Sequence, residues 1–406
     1  MTLIEFYDKT KLENIAGALL LRADKLIFIG DNQKAITKSI PVYQNLLEKR
    51  NINTEICYKT VNKNNLSVIV EQLSLIVEEN DDCVFDLTGG EDLYLVALGI
   101  LMEKYPDRIQ CHRFNFKNST ITDCDADGNV AKAELFDISI EENILLYGGR
   151  ITFDENSVSF VFDNDFNLDV EKIWTISKED QKRWNSASGT IGDILKLCNK
   201  SSGLDVRFEK VLAENEINRT GNNYGLNDYF LKRLEENELI HSLALGDEIS
   251  FSFKNESVKN ALSTPGKMLE IAVASKLAAL TDDEGKKFYN DVKVGVLIDW
   301  DNTETDEAPT LNEIDVLAMK DAIPVFISCK SGLFDNDELY KLKTVASRFG
   351  DDYAKCVLVA TSMERMECKE KFIRNRADDM KIRIIDDFDT MDESKITRVL
   401  KSLYCN

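Results

Sequence analysis

Asn312-Glu313-Ile314-Asp315-Val316, followed after a short connection by Phe326-Ile327-Ser328-Cys329-Lys330, decides what kind of domain ends this chain. Side chains alternate along a strand, so Glu313 and Asp315 are expected on one face, and Ser328 and Lys330 share a face by the same rule. A tight turn near Asp321 makes the two strands antiparallel neighbours, which brings Asp315 and Lys330 to one edge of a sheet. Outward from this hairpin the pattern reads as helix Lys267–Leu280 after the breaker Pro265-Gly266, then strands Val292–Trp300, Asn312–Met319 and Pro324–Cys329. An acidic, Pro-containing loop joins the first two strands. Helix Asp337–Phe349, strand Cys356–Ala360, helix Glu364–Asp379 and strand Ile382–Ile385 complete an αβββαβ order.

Carboxylates and a lysine gathered at a sheet edge are what phosphodiester hydrolysis requires. Carboxylates hold a divalent cation, the cation acidifies water and stabilises the pentacovalent phosphate, and a lysine orients the water or offsets charge. Oxygen ligands select Mn²⁺ or Mg²⁺ over softer ions. Glu270, on the helix before the hairpin, supplies a further acid, and the backbone carbonyl of Cys329 a neutral ligand. Any one of these acids alone reads better as a solvated surface group. As a set in this element order they point to a metal-dependent hydrolase, and Lys330 closing an apolar strand has no packing reason. Glu338, on the following helix, is a further acid, although the helix dipole alone would favour it there.

Composition removes the competing chemistries. With two histidines and no CxxC pair among nine cysteines, there is no zinc site and no Ser-His-Asp or Cys-His enzyme. A net charge of −22 excludes a general nucleic-acid coat protein but not a local basic groove, for which Lys341–Lys343 and Arg365–Arg376 are candidates. No apolar run is long enough to span a bilayer and the first dozen residues lack a leader pattern, so a cytoplasmic protein without membrane contact is expected.

At 406 residues the chain divides into three stretches: 1–140, 141–262 and 263–406. In the first, apolar strands Lys25–Gly30, Thr54–Tyr58 and Cys83–Leu87 alternate with helices at Ile40–Lys49, Leu66–Glu78 and Leu93–Tyr105, a Rossmann-like α/β layout with a parallel sheet. Two turns close its strands: Gly30-Asp31-Asn32-Gln33-Lys34 and Asp86-Leu87-Thr88-Gly89-Gly90-Glu91-Asp92. Paired glycines let backbone amides approach a ligand, and both turns should open on the crevice at the carboxyl ends of the strands. Neither turn is a GxGxxG or a P-loop. The middle stretch, with Trp174 and Trp184, reads as mainly helical, with helix Tyr229–Leu239 and a strand or wing at Glu248–Phe253. A winged helix is one reading of it.

The last stretch resembles the restriction-endonuclease-like PD-(D/E)xK superfamily, with Glu270 in the first-helix position, Asp315 in the Asp position and Ser328-Cys329-Lys330 in the (D/E)xK position. The departure is Ser328, where an acid is usual. Together with the Asp-x-Thr-Gly-Gly loop, the whole chain is similar to the CARF-domain ancillary nucleases of type III CRISPR systems. The resemblance implies a homodimer whose paired CARF domains bind a cyclic oligoadenylate, cyclic tetra-adenylate first among them, through Gly30, Asn32, Gln33, Thr88, Gly89 and Gly90. Lys34 and Arg113 are candidates for further phosphate contacts, whereas Glu91-Asp92 departs from the basic residue often found after that loop. It further implies a catalytic set of Glu270, Asp315, Ser328 and Lys330, and a metal set of Asp315, Glu270, Glu313 and the Cys329 carbonyl. Single-stranded or nicked DNA is the expected substrate, with RNA a second candidate. Two rivals remain: a ligand-independent repair or junction nuclease, and a non-catalytic sensor or transcription regulator.

Overall fold

The computed structural model describes all residues except 118–119, 125–129, 133–135, 154–158, 199–202, 301–310, 332–333, 362, 364–367 and 405–406. The acidic loop at 301–310, the start of the expected helix at Glu364, and Arg365 therefore lie outside the described residues.

The chain opens with β1 (Thr2–Phe6), α1 (Glu13–Leu21), β2 (Lys25–Gly30), α2 (Gln33–Lys49), β3 (Glu55–Thr60), α3 (Leu66–Glu79), β4 (Cys83–Asp86), α4 (Asp92–Lys104), β5 (Ile109–Asn115), β6 (Thr120–Asp123) and β7 (Val130–Lys132). These strands form one sheet in the order β3-β2-β1-β4-β5-β6-β7, parallel from β3 to β5 and antiparallel beyond. Helices on both faces explain why β2 and β4 are continuous apolar runs. The middle strand of the five parallel ones is β1, which the sequence reading passed over. Helix α2 begins seven residues earlier than the expected Ile40, because the Asn32 side chain caps it by accepting the Ala35 amide at 3.1 Å, and it runs on through Pro41.

Next come α5 (Ile140–Leu146), closed by a capping box between Ser139 and Glu142, and β8 (Arg150–Thr152). The middle elements are α6 (Asn164–Glu179), α7 (Gln181–Leu197), β9 (Asp205–Glu209), α8 (Lys210–Arg219), α9 (Asp228–Glu236), β10 (Ile240–Ala244), β11 (Glu248–Phe253) and α10 (Glu256–Ser263). From α7 to β11 the succession helix, strand, helix, helix, strand, strand, with β11 central in an antiparallel β10-β11-β9 sheet, is a winged-helix topology. Trp184 packs against Phe230 within it, ring centroids 5.6 Å apart.

The remainder is α11 (Met268–Ala279), β12 (Asp291–Asp299), β13 (Leu311–Lys320), β14 (Ile323–Lys330), α12 (Asn336–Gly350), β15 (Lys355–Ala360), α13 (Cys368–Asp379), β16 (Ile382–Ile385) and α14 (Glu393–Lys401). The sheet order is β16-β15-β14-β13-β12-β8, so β8, from the stretch between the first sheet and the winged helix, extends this last sheet by pairing with β12. One face packs on α11 and the winged helix in a common core, while the other shares a core with α1, α2, α5 and α12. A single 3-10 turn, Asp351–Tyr353, follows α12 and meets the N-terminal half.

Candidate nuclease and ligand-sensing sites

Alternation fails at one point in the last sheet, and the site lies there. Gly295 in β12 has φ +59°, and the pairing passes from Val294↔Val316 to Val296↔Ile314 around it. Val294 and Val296, two residues apart, sit in different cores, and so do Ile314 and Val316. The expected common face of Glu313 and Asp315 is thus not a product of regular alternation. A side chain at Gly295 would come 3.1 Å from the Lys267 Nζ and 3.4 Å from Glu313 Oε1. Glycine here leaves room for the Lys267–Glu313 ion pair. The sequence reading missed both Gly295 and Lys267, although a lone glycine inside Val292–Asp299 was a visible signal.

Asp315 is held firmly. Its Oδ2 accepts the Cys329 amide at 2.7 Å and the Ser328 hydroxyl at 3.1 Å, and the Lys330 ammonium stands 3.6 Å away. Ser328 thus orients the Asp carboxylate. Lys330 makes its shorter contact, 2.8 Å, with Glu338 on α12. Burial alone would lower the Lys330 pKa, but Asp315 and Glu338 outweigh it and raise it, so the ammonium stays charged. Asp315, Ser328, Lys330, Glu313 and Glu338 line one small cleft of about 80 Å³.

Glu270 reaches the same neighbourhood from α11, on the other face of the sheet. Burial, and then the charge of Asp315, push its carboxyl up to about 8, and its Oε2 is buried without a hydrogen-bond partner. The Cys329 thiol is buried and held well above its usual value by that burial. Among the described residues, no three Asp, Glu, His or Cys side chains form a ready cluster for a cation. Lys267 holds Glu313, and Lys330 bridges Asp315 and Glu338. The donor chemistry nevertheless fits a hard divalent ion: an unpartnered buried carboxylate beside a second carboxylate lacks only positive charge.

At the other end of the chain, both turns lie at the carboxyl edge of the parallel sheet. Gly90 has φ +113°, and a side chain there would meet Phe6 Cβ at 2.7 Å, so the loop lies directly on β1. Thr88 is spent within the loop: its hydroxyl donates to Asp86 at 2.5 Å and accepts the Phe114 amide at 2.9 Å. Gln33 donates to Tyr58 at 2.7 Å, and Gly30 sits against Ile36 and Tyr7. Lys63 joins the two turns through Asp31 at 3.4 Å and Glu91 at 2.8 Å, so Glu91 faces this lysine. Lys34 and Arg113 are exposed. A side chain at Gly89 would come 3.0 Å from Asp8 Cβ and 3.2 Å from Glu13 Oε2.

The molecule therefore joins a Rossmann-like α/β sheet, a winged-helix topology and a last domain of αβββαβ order. Residues 256–403 match the profile of the Card1-like endonuclease domain. In fold, the whole chain is similar to protein VC1899 from Vibrio cholerae, with a TM-score of 0.67 and 20% identity over 99% of this chain and 97% of that one. It is also similar to Can2 from Sulfobacillus thermosulfidooxidans, solved in complex with cyclic tetra-adenylate, with a TM-score of 0.62 and 14% identity over 99% of each chain. No curated protein matches it in sequence.

Proposed function

We propose that this chain is a cyclic-oligoadenylate-activated, metal-dependent endonuclease of type III CRISPR antiviral defence, working as a homodimer in the cytoplasm, with cyclic tetra-adenylate as activator. The observation that carries the reading is Asp315, fixed by Ser328 and the Cys329 amide beside Lys330, within the stretch that matches an endonuclease profile. The Rossmann-like half, with backbone amides at Gly89 and Gly90 on the sheet edge, and the ligand of Can2 support the activator. Among the described residues no helix is long and apolar enough to cross a membrane.

Asp315, Glu270 and the Cys329 carbonyl would hold Mn²⁺ or Mg²⁺, with Glu313 available once Lys267 releases it. The ion, when bound, acidifies a water and offsets phosphate charge. Lys330, kept protonated, donates to the scissile phosphate or steadies the attacking water; it is not the base. Ser328 keeps Asp315 from rotating off its ligand.

The test incubates the protein with Mn²⁺ or Mg²⁺, single-stranded and nicked DNA and RNA, with and without cyclic tetra- and hexa-adenylate. Cleavage that depends on cyclic tetra-adenylate is expected, and Asp315→Ala should lose it by at least about a thousandfold. Full cleavage without ligand would leave a repair or junction nuclease. The winged-helix topology favours a transcription regulator as second reading, which stands if no ring elicits cleavage and the protein retains duplex DNA.

A further inference from the structure

Position 328 carries a hydroxyl where Lys330 would otherwise find an acid two residues away, and the acid that reaches this lysine comes from another element. Glu338 lies in the first turn of α12, yet its carboxylate is suspended between two ammonium groups. Oε2 is 2.8 Å from Lys330 and Oε1 is 2.8 Å from Lys341. Its side chain is 24% exposed and lines the same cleft as Asp315. A first-turn acid present only for the helix dipole would not need either cation. The cap of α12 is supplied separately, by Asp335 accepting the Asp337 amide.

Without Glu338, Lys330 would have one ion-pair partner among the described residues, Asp315, now 3.6 Å away. An ammonium drawn onto Asp315 competes directly with a cation for that carboxylate. We propose that Glu338 is the positioning residue of this site: it draws Lys330 off Asp315 and restores, from α12, the charge that Ser328 withholds. This rests on the reading of Asp315 as a cation ligand.

Mn²⁺ titration of the full chain, followed by the electron paramagnetic resonance signal of free Mn²⁺, tests it apart from cleavage. Glu338→Gln should weaken Mn²⁺ binding by about ten- to a hundredfold, the usual cost of losing a group that orients a ligand. Adding Lys330→Met to Glu338→Gln should restore binding, because the competitor is gone, while cleavage stays lost. Glu338→Gln titrating like the wild type overturns the proposal, and so does a double variant with Lys330→Met that stays weak. A wild type indistinguishable from Asp315→Ala overturns the reading of the site and the proposal with it.

Discussion

One oxygen of Glu270, Oε2, is buried with no donor to satisfy it, and that shapes how the site responds to pH. A carboxyl whose folded pKa is raised to about 8 binds its proton more tightly in the fold than in the unfolded chain. Stability contributed by the protonated form is present below the unfolded value and declines as pH rises towards 8. In metal-free protein, Glu270→Gln should therefore leave the melting temperature nearly unchanged at pH 5 and raise it by several degrees at pH 9. Scanning calorimetry at the two values checks this, and a variant that melts lower at pH 9 contradicts it. Since a cation binds the ionised form, Mn²⁺ affinity of the wild type should rise with pH up to about 8 and then level off. Which charges surround Asp315 was legible in the sequence for Glu270, Lys330 and Ser328. Their partners were not, because Lys267–Glu313 and Lys330–Glu338 join residues of different elements, and only the fold brings them together.

The break of alternation in β12 and β13 turns on one glycine. Left-handed φ costs a side chain about 1–2 kcal/mol, so Gly295→Ala should lower stability by roughly that amount and also disturb Asp315 opposite. Cleavage should fall more than stability does, which comparing turnover with urea midpoints will show. Gly90, with φ +113° against Phe6, is the corresponding position of the sensing loop. Gly90→Val should weaken cyclic tetra-adenylate binding, measured by calorimetry, at least tenfold and lower the melting temperature. Elements of the last domain could be read from their apolar runs because its inner strands have neighbours on both sides and are covered on both faces. β1 could not, since five residues beside a terminus look like a fragment, although they form the middle strand of the parallel part of the first sheet. Gly295 was visible as a lone glycine in Val-Lys-Val-Gly-Val-Leu-Ile, but its effect, room for Lys267 beside Glu313, exists only in the fold.

At the scale of the molecule, the two ends of the chain meet through α12 and the turn after it. The Tyr353 hydroxyl donates to Glu13 at 2.7 Å, Asp351 accepts the Lys11 amide at 3.4 Å, and the rings of Phe116 and Tyr353 are 5.1 Å apart. Burial pushes Glu13 up to about 7, against the lowering effect of the Tyr353 hydroxyl. A side chain at Gly89 would come 3.2 Å from Glu13, so the glycine loop and the turn after the helix bearing Glu338 lie close to one carboxyl. Tyr353→Phe should leave cyclic tetra-adenylate binding within about threefold while reducing activated cleavage by at least tenfold, a loss of coupling and not of either site. Equal losses of binding and cleavage would place the defect in the sensing loop instead.

The common core carries a last consequence. Leu3, Phe28 and Leu46 of the N-terminal half belong to one apolar cluster with Ile144 of α5 and with Leu317, Phe326 and Phe349 of the last domain. A protein whose parts are beads on a string can be cut, shuffled and rejoined, each bead keeping its shape. Here the seam is oil on both sides. The cutting end expressed alone would present that face to water and precipitate, and grafting it onto a foreign sensor would require rebuilding α1, α2 and α5 along with it. The protein engineer faces the same restriction, since the first sheet and the last domain share one apolar seam.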